Sequence, residues 1–225
     1  MFDLSETYRS LSGEAPIIGE PVYLIRFSGC NLNCSYCDSK YASGTQNSGS
    51  ISRTISEEDL TREIANVKSE YPSIKVLFTG GEPLFADRQE ALIRSMKTCG
   101  NVSFYMETNG SIPISEFNLL NCTYVVDLKT PSSGEADSFH SDNFKRLRAG
   151  HDCIKIVLDD NDLPWVLEKI AFINSINPGL AIYLSPQWGK IALEKLASFI
   201  LDNSLDAKMS IQLHKIIWGE NTRGV

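Results

Sequence analysis

Three cysteines, Cys30, Cys34 and Cys37, fall within eight residues in the stretch Gly29-Cys30-Asn31-Leu32-Asn33-Cys34-Ser35-Tyr36-Cys37-Asp38. The spacing Cys-x3-Cys-x2-Cys offers three thiolates and no fourth close by. Thiolate is the soft ligand that iron–sulfur clusters and zinc both take. A cube-shaped cluster has four irons, so three thiolates hold three of them and leave the last open to an outside ligand. The alternative is zinc, whose closed sites need four ligands, usually drawn as two close pairs. No second cysteine pair exists here, and the three histidines, His140, His151 and His214, lie far from the loop. Cys99, Cys122 and Cys153 stand singly in apolar or strand-like contexts and read as small buried hydrophobes. A disulfide framework is not expected in a chain of this length without a secretory signal.

Other residue types with chemical reach sit at the ends of apolar runs. Gly80-Gly81-Glu82-Pro83 follows one such run directly, and glycine lets a backbone approach its neighbour closely. An ordinary strand-to-helix turn would have the same composition. Thr79 sits at the tip of that run. Glu107, Asn109, Lys129, Ser132 and Ser133 also occupy run ends, where they suit hydroxyl and carboxylate groups of a ligand. Ser132 and Ser133 would equally serve as helix caps. Arg26 interrupts the apolar Tyr23-Leu24-Ile25-Arg26-Phe27; a buried Arg must be paired, and its planar fork suits a carboxylate. Asp38-Ser39 offers hard oxygen ligands of the kind magnesium takes, and also reads as a turn-forming pair. His214-Lys215 begins the tail, where Ile216, Ile217 and Trp218 suggest packing onto the body.

The elements that position these groups alternate. Strands are expected over 22–27, 75–79, 102–106, 124–128, 154–158, 181–184 and 210–213. Helices are expected from Ser56, an N-cap followed by Glu57, Glu58 and Asp59, and over 87–97, 163–176 and 191–202. Leu60, Ile64, Val67 and Tyr71 carry the helical spacing of the first. Residues 43–50 read as a polar, mobile loop. Strand–helix alternation along a whole chain implies an α/β fold with a parallel sheet or partial barrel, and a site beyond the carboxyl ends of its strands. The polar punctuation falls at those ends.

With 225 residues the chain suits a single domain, 1–225, with one core. Its 21 basic and 28 acidic residues give a net charge of −7, which argues against a broad nucleic-acid surface. No apolar run is long enough for a membrane span, and the amino terminus has no signal-peptide pattern. A cytoplasmic, reducing setting is expected.

Taken together, these segments resemble the radical S-adenosylmethionine (SAM) enzymes, and within them the 7-carboxy-7-deazaguanine synthase family. The resemblance runs from Tyr8-Arg9-Ser10-Leu11-Ser12-Gly13-Glu14 through the cysteine loop and Thr79-Gly80-Gly81-Glu82-Pro83-Leu84. It continues through Glu107-Thr108-Asn109-Gly110, Asp127-Leu128-Lys129-Thr130-Pro131-Ser132-Ser133-Gly134 and Ser185-Pro186-Gln187 to Gln212-Leu213-His214-Lys215. The fold it implies is a partial (β/α)6-type parallel barrel of the radical SAM type. The activity it implies is ring contraction of 6-carboxy-5,6,7,8-tetrahydropterin to 7-carboxy-7-deazaguanine with loss of ammonia, on the way to queuosine-type deazapurines of tRNA.

The resemblance further implies a [4Fe-4S] cluster on Cys30, Cys34 and Cys37, SAM, and Mg2+ on Ser39. SAM would meet Tyr36, Cys37, Asp38, Gly80, Gly81, Glu82, Glu107, Asn109, Lys129, Ser132, Ser133, Ser185 and Gln187. The pterin would meet Leu11, Ser12, Gly13, Glu14, Arg26, Thr79, His214 and the chain end at Val225, with the amino-terminal segment and the tail closing the site. A flavodoxin- or ferredoxin-type electron donor and a homodimer complete the expectation; no nucleic acid or membrane is involved. Ser12 stands where the family usually has Gln, Ala15 replaces the second Gly of its Gly-Glu-Gly, and Ser39 stands where Thr is common. A glycyl-radical activating enzyme would share the cysteine loop but not the two terminal segments. A zinc-stabilised binding module is the non-enzymatic alternative.

Overall fold

A computed structural model describes residues 1–44, 50–115, 121–220 and 222–225. The sheet begins at one edge with an antiparallel pair. Strand β1 (Phe2–Leu11) runs against β2 (Pro21–Phe27) on one side and against the short β3 (Arg53–Ile55) on the other. The sequence reading places no element before Val22. Phe2 and Leu4, buried with Asp3 half-buried between them, carry the alternation of a half-buried strand that it overlooks.

From β2 onward the sheet is parallel. Strands β4 (Lys75–Gly80), β5 (Phe104–Thr108), β6 (Cys122–Asp127), β7 (Cys153–Leu158), β8 (Ala181–Pro186) and the two-residue β9 (Lys208–Met209) follow in order. The strand order is β3-β1-β2-β4-β5-β6-β7-β8-β9. Six parallel strands, β2 and β4 to β8, agree with the expected α/β architecture.

Helices α1 (Lys40–Ser43) and α4 (Asn143–Arg146) are single turns. The longer helices α2 (Glu57–Glu70), α3 (Arg88–Thr98), α5 (Leu163–Ile176) and α6 (Leu193–Asp202) fall within two residues of expectation. Ser56 does cap α2, its hydroxyl accepting from the Asp59 N–H at 3.0 Å. Of the expected loop over 43–50, residues 45–49 lie outside the described residues.

The carboxyl end of the chain departs from expectation. The strand expected over 210–213 is β9, two residues earlier, followed by a short helix α7 (Leu213–Trp218). The Leu213 N–H is drawn to the Gly13 carbonyl at 2.8 Å, which takes the chain off the sheet edge. Ile216 and Ile217 do not pack down: they are 54% and 47% exposed, whereas Lys215 is buried. In a helix, residues three apart share a face, so Lys215 and the half-buried Trp218 take the inner side and the two isoleucines face out.

Period-2 alternation divides every parallel strand between two tasks. Phe2, Phe27, Phe78 and Phe104 form a row across β1, β2, β4 and β5, with ring centroids 5.5 to 5.8 Å apart. Each such buried ring contributes about 1.5–3 kcal/mol. This face continues into Met106, Val126, Ile154, Ile156 and Leu184 and carries the main core beneath the helices. The intervening residues Arg26, Thr79, Glu107, Asp127 and Lys155 take the opposite direction. Among the described residues, no helix is long and apolar enough to cross a membrane.

Candidate active site

The face opposite the phenylalanine row forms the floor of a cavity of about 780 Å³. All three loop cysteines open onto it. So do all the residues singled out in the sequence except Glu82, Ser132, Ser133 and Ser185.

The cysteine loop leaves β2 through Ser28 and is braced from three sides. The Leu32 N–H and the Asn109 amide point at Cys30 Sγ, at 3.4 and 3.7 Å. Asn109 also donates to the Asn31 side chain at 3.0 Å. Ser35 donates through its N–H to the Ser133 carbonyl at 2.9 Å and through its hydroxyl to the Ser132 carbonyl at 2.7 Å. Tyr36 spans to the Val157 carbonyl at 3.1 Å. All six cysteines are free thiols, and Cys99, Cys122 and Cys153 are buried as expected.

Among the described residues, no group of three His, Cys, Asp or Glu side chains converges to hold a single ion. In a cubane each thiolate meets a different iron, so three thiolates need not converge on one point. Three free thiols on one cavity wall, with N–H groups aimed at a sulfur, fit a [4Fe-4S] cluster, whose sulfurs are tuned by such hydrogen bonds.

Glu82 lies beneath this wall as a bolt. Its side chain is fully buried and accepts from the Leu84 N–H at 3.0 Å, the Thr108 hydroxyl at 2.7 Å and the Asn109 N–H at 2.7 Å. Burial raises its carboxyl above the ordinary range, opposed by those same donors. It therefore locks the turn after β4 to the turn after β5. Gly81 adds a second joint: a Cβ there would overlap the Gly29 carbonyl, so only glycine lets the turn after β4 touch the cysteine loop.

Ser132 is tied to Asp162, by its N–H at 3.0 Å and its hydroxyl at 2.5 Å. The Ser133 hydroxyl bonds the Thr130 carbonyl at 2.6 Å. Both hold the tight turn that braces Ser35. Ser185 is fully buried, and its hydroxyl has no partner among the described residues.

The two ends of the chain meet at the opposite wall. The Gln212 amide donates to Glu14 Oε1 at 2.8 Å, and the Leu213 N–H to the Gly13 carbonyl. His214 covers Gly13 so closely that a Cβ on Gly13 would strike its ring. Ser12 turns inward and donates to the Glu14 carbonyl at 3.1 Å.

Arg26 lies between these walls. Glu6 accepts from its Nε at 2.6 Å and from the Tyr41 hydroxyl at 2.7 Å. The Arg223 guanidinium stacks on the Tyr41 ring, 4.0 Å from its centroid. Ser39 donates to the Gly80 carbonyl at 3.3 Å, and Asp38 lies 3.7 Å from the Lys215 ammonium.

The floor is charged. Lys155 pairs with Glu14 and lies 3.8 Å from Asp127 Oδ2, its cross-strand neighbour in register. Lys129 donates to the same Asp127 oxygen at 2.7 Å, and Thr79 donates to Glu107 Oε2 at 2.7 Å. Burial alone would raise the Glu14 carboxyl, but the Lys155 ammonium and the bonds from Lys155 and Gln212 outweigh it and hold it at about 2. Burial likewise works against the Lys155 charge, yet Glu14, Asp127 and Glu107 hold its pKa well above the ordinary value. Glu107 is raised by burial, with Lys155 opposing. Asp127 Oδ1 is buried without a partner among the described residues.

Sequence reasoning missed Lys155, Asp127, Glu6 and Tyr41. Lys155 was open to the logic that picked out Arg26, since both are single charges inside apolar strands. Glu6 and Tyr41 give no local signal, because what matters is that both reach Arg26.

A parallel α/β sheet with three cysteine thiols at its C-terminal rim, facing a polar cavity, defines a radical SAM enzyme. The Radical SAM superfamily profile matches residues 24–152. A 7-carboxy-7-deazaguanine synthase of Clostridium acetobutylicum is 36% identical, over 100% of this chain and 99% of the relative. One of Koribacter versatilis is 32% identical over 99% of both. The crystal structure of QueE from Escherichia coli shares the fold, with a TM-score of 0.70 over 94% of this chain and 93% of that one, at 22% identity. The chain belongs to the 7-carboxy-7-deazaguanine synthase family of radical SAM enzymes.

Proposed function

We propose that the chain converts 6-carboxy-5,6,7,8-tetrahydropterin to 7-carboxy-7-deazaguanine, releasing ammonia, in a deazapurine pathway that leads to modified tRNA. Beyond family membership, one observation carries this reading. A single cavity joins the cysteine wall to a floor holding one arginine and several acceptor carboxylates, which suits a ligand with a carboxylate at one end and N–H donors at the other.

When bound, the [4Fe-4S] cluster and SAM would supply the radical chemistry at C6 of the pterin. The protein binds, orients and encloses. Cys30, Cys34 and Cys37 hold the cluster. Tyr36, Asp38, Gly80, Gly81, Asn109, Lys129 and Gln187 border the SAM side. Arg26, kept in place by Glu6, grips the substrate carboxylate in its planar fork. Glu14 and Glu107 accept from the N–H groups of the pyrimidine edge; the Thr79–Glu107 bond favours the substrate side for Glu107. Leu11, Ser12, Gly13, Thr79, His214 and Val225 enclose the ring.

Glu82, Ser132 and Ser133 act on SAM indirectly, through the turns they hold. Mg2+ would take the Ser39 hydroxyl as a hard ligand at the cavity edge. Residues 1–225 act as one domain in a cytoplasmic setting, with a flavodoxin- or ferredoxin-type donor and as a homodimer, in keeping with the family resemblance.

The test is anaerobic incubation with SAM, magnesium, reductant and 6-carboxytetrahydropterin, with mass-spectrometric detection of the deazaguanine. Product is expected from the reconstituted enzyme and not from Cys34→Ala. SAM cleavage to 5′-deoxyadenosine without deazaguanine would remove the substrate assignment and favour an activating enzyme.

A further inference from the structure

We propose that Lys155 is a positioning residue for substrate recognition: through its ion pair it keeps Glu14 an ionised, correctly aimed acceptor for the N–H edge of the ring. This rests on the substrate reading above, and it adds a specificity-determining residue to it.

Lys155 is the central cation of the cavity floor. It sits on β7 between Ile154 and Ile156, which point the other way into the main core. The strand alternation therefore forces its four-carbon stem toward the cavity. Its side chain is 10% exposed and that of Glu14 is 12% exposed. A lysine so enclosed must have compensating charge. It has Glu14 in contact, Asp127 at 3.8 Å and Glu107 within electrostatic reach.

Lys155 approaches Glu14 Oε2, Gln212 approaches Oε1, and His214 from α7 stands over the same segment. Glu107 from β5 adds a like charge, while Lys129 is committed to Asp127 and Arg26 to Glu6. Each carboxylate oxygen has more than one acceptor site, so both retain capacity toward the cavity that Glu14 lines. Without the ammonium, Glu14 and Glu107 would be two buried carboxylates with Arg26 acting on Glu107 alone, and Glu14 would take up a proton. A protonated carboxyl offers a donor where the ligand also presents donors, which is the mismatch that discriminates most strongly.

The experiment compares wild type, Lys155→Met, Lys155→Arg and the double variant Glu14→Gln/Lys155→Met, all cluster-loaded. The first readout is binding of 6-carboxypterin, a stable fluorescent analogue, from about pH 6 to pH 8.5, the range in which a carboxyl raised by burial titrates. The second is KM and kcat for the tetrahydropterin, beside SAM cleavage without substrate.

Lys155→Met is expected to weaken analogue binding and raise KM roughly tenfold at neutral pH, the worth of one hydrogen bond to a charged group. The deficit should shrink as pH rises and Glu14 ionises, with cluster content unchanged. Lys155→Arg should restore affinity to within a few-fold. The double variant, which removes both charges of the pair, should fold as well as wild type and bind weakly at every pH.

Lys155→Met with wild-type affinity and a flat pH profile would overturn the proposal. So would a double variant that binds like wild type, an arm that decides the matter if Lys155→Met alone fails to fold. Absence of deazaguanine from the wild-type enzyme would instead refute the substrate reading, because the analogue-binding arm does not require turnover.

Discussion

Replacing Glu82 with Gln tests whether this carboxylate joins the two loops that face the cysteines. Glu82 accepts three hydrogen bonds, from the Leu84 N–H, the Thr108 hydroxyl and the Asn109 N–H, and its side chain reaches no solvent. Gln has nearly the same volume, so no cavity opens. Its oxygen can keep the pair now on Oε1, but its amide nitrogen then faces the Asn109 N–H, donor to donor. Flipping the amide relieves Asn109 and sets the same conflict at Leu84.

Either way one backbone donor is orphaned in a buried position. A lost charge-assisted bond costs about 1.5–3 kcal/mol and an orphaned buried donor about 1–3 kcal/mol. Removing a charge that burial disfavours returns part of that. A net loss of about 2–4 kcal/mol remains. At roughly 2–4 °C per kcal/mol for a chain of this size, Tm should fall by about 4–16 °C. The assay is a thermal melt by circular dichroism on anaerobic, cluster-loaded protein. A Tm within about 1 °C of wild type would refute the reasoning, since even one exchanged bond at the low end of these values exceeds that.

Three more expectations follow from the geometry. Gly81→Ala should fold its sheet but bind substoichiometric iron, measured by iron and sulfide content, because the new Cβ displaces Gly29 beside Cys30. Glu6→Gln should raise the KM for the pterin roughly tenfold, read by steady-state assay, since the fixed Arg26 fork loses its charged anchor. Glu14 is held at about 2, below the ordinary carboxyl value of 4.5; because the folded pKa is depressed, its contribution is present above about pH 4.5 and lost as pH falls toward 2. Acid unfolding monitored by far-ultraviolet circular dichroism should therefore be steeper between those values in wild type than in Glu14→Gln.

Local chemistry and local periodicity determined much of this protein. The cysteine spacing names the soft-ligand loop without any fold. The alternation of β4, α3, β7 and α5 is legible because each run is long enough to show its period, and the strand ends are marked by glycine and polar residues. The short or near-edge elements were not legible. β9 has two residues, and β1 is an antiparallel strand next to the sheet edge whose alternation fades after Leu4.

What only the tertiary structure decided is the company each charge keeps. Glu14 and Lys155 are separated by 141 positions and Glu6 and Arg26 by 20, and no local pattern pairs them. Glu82 reads as a ligand contact in its motif, yet it points into the joint between two loops. The physical reason is that secondary structure arises from interactions a few residues apart, whereas a buried charge is satisfied by whichever strand the sheet order sets beside it.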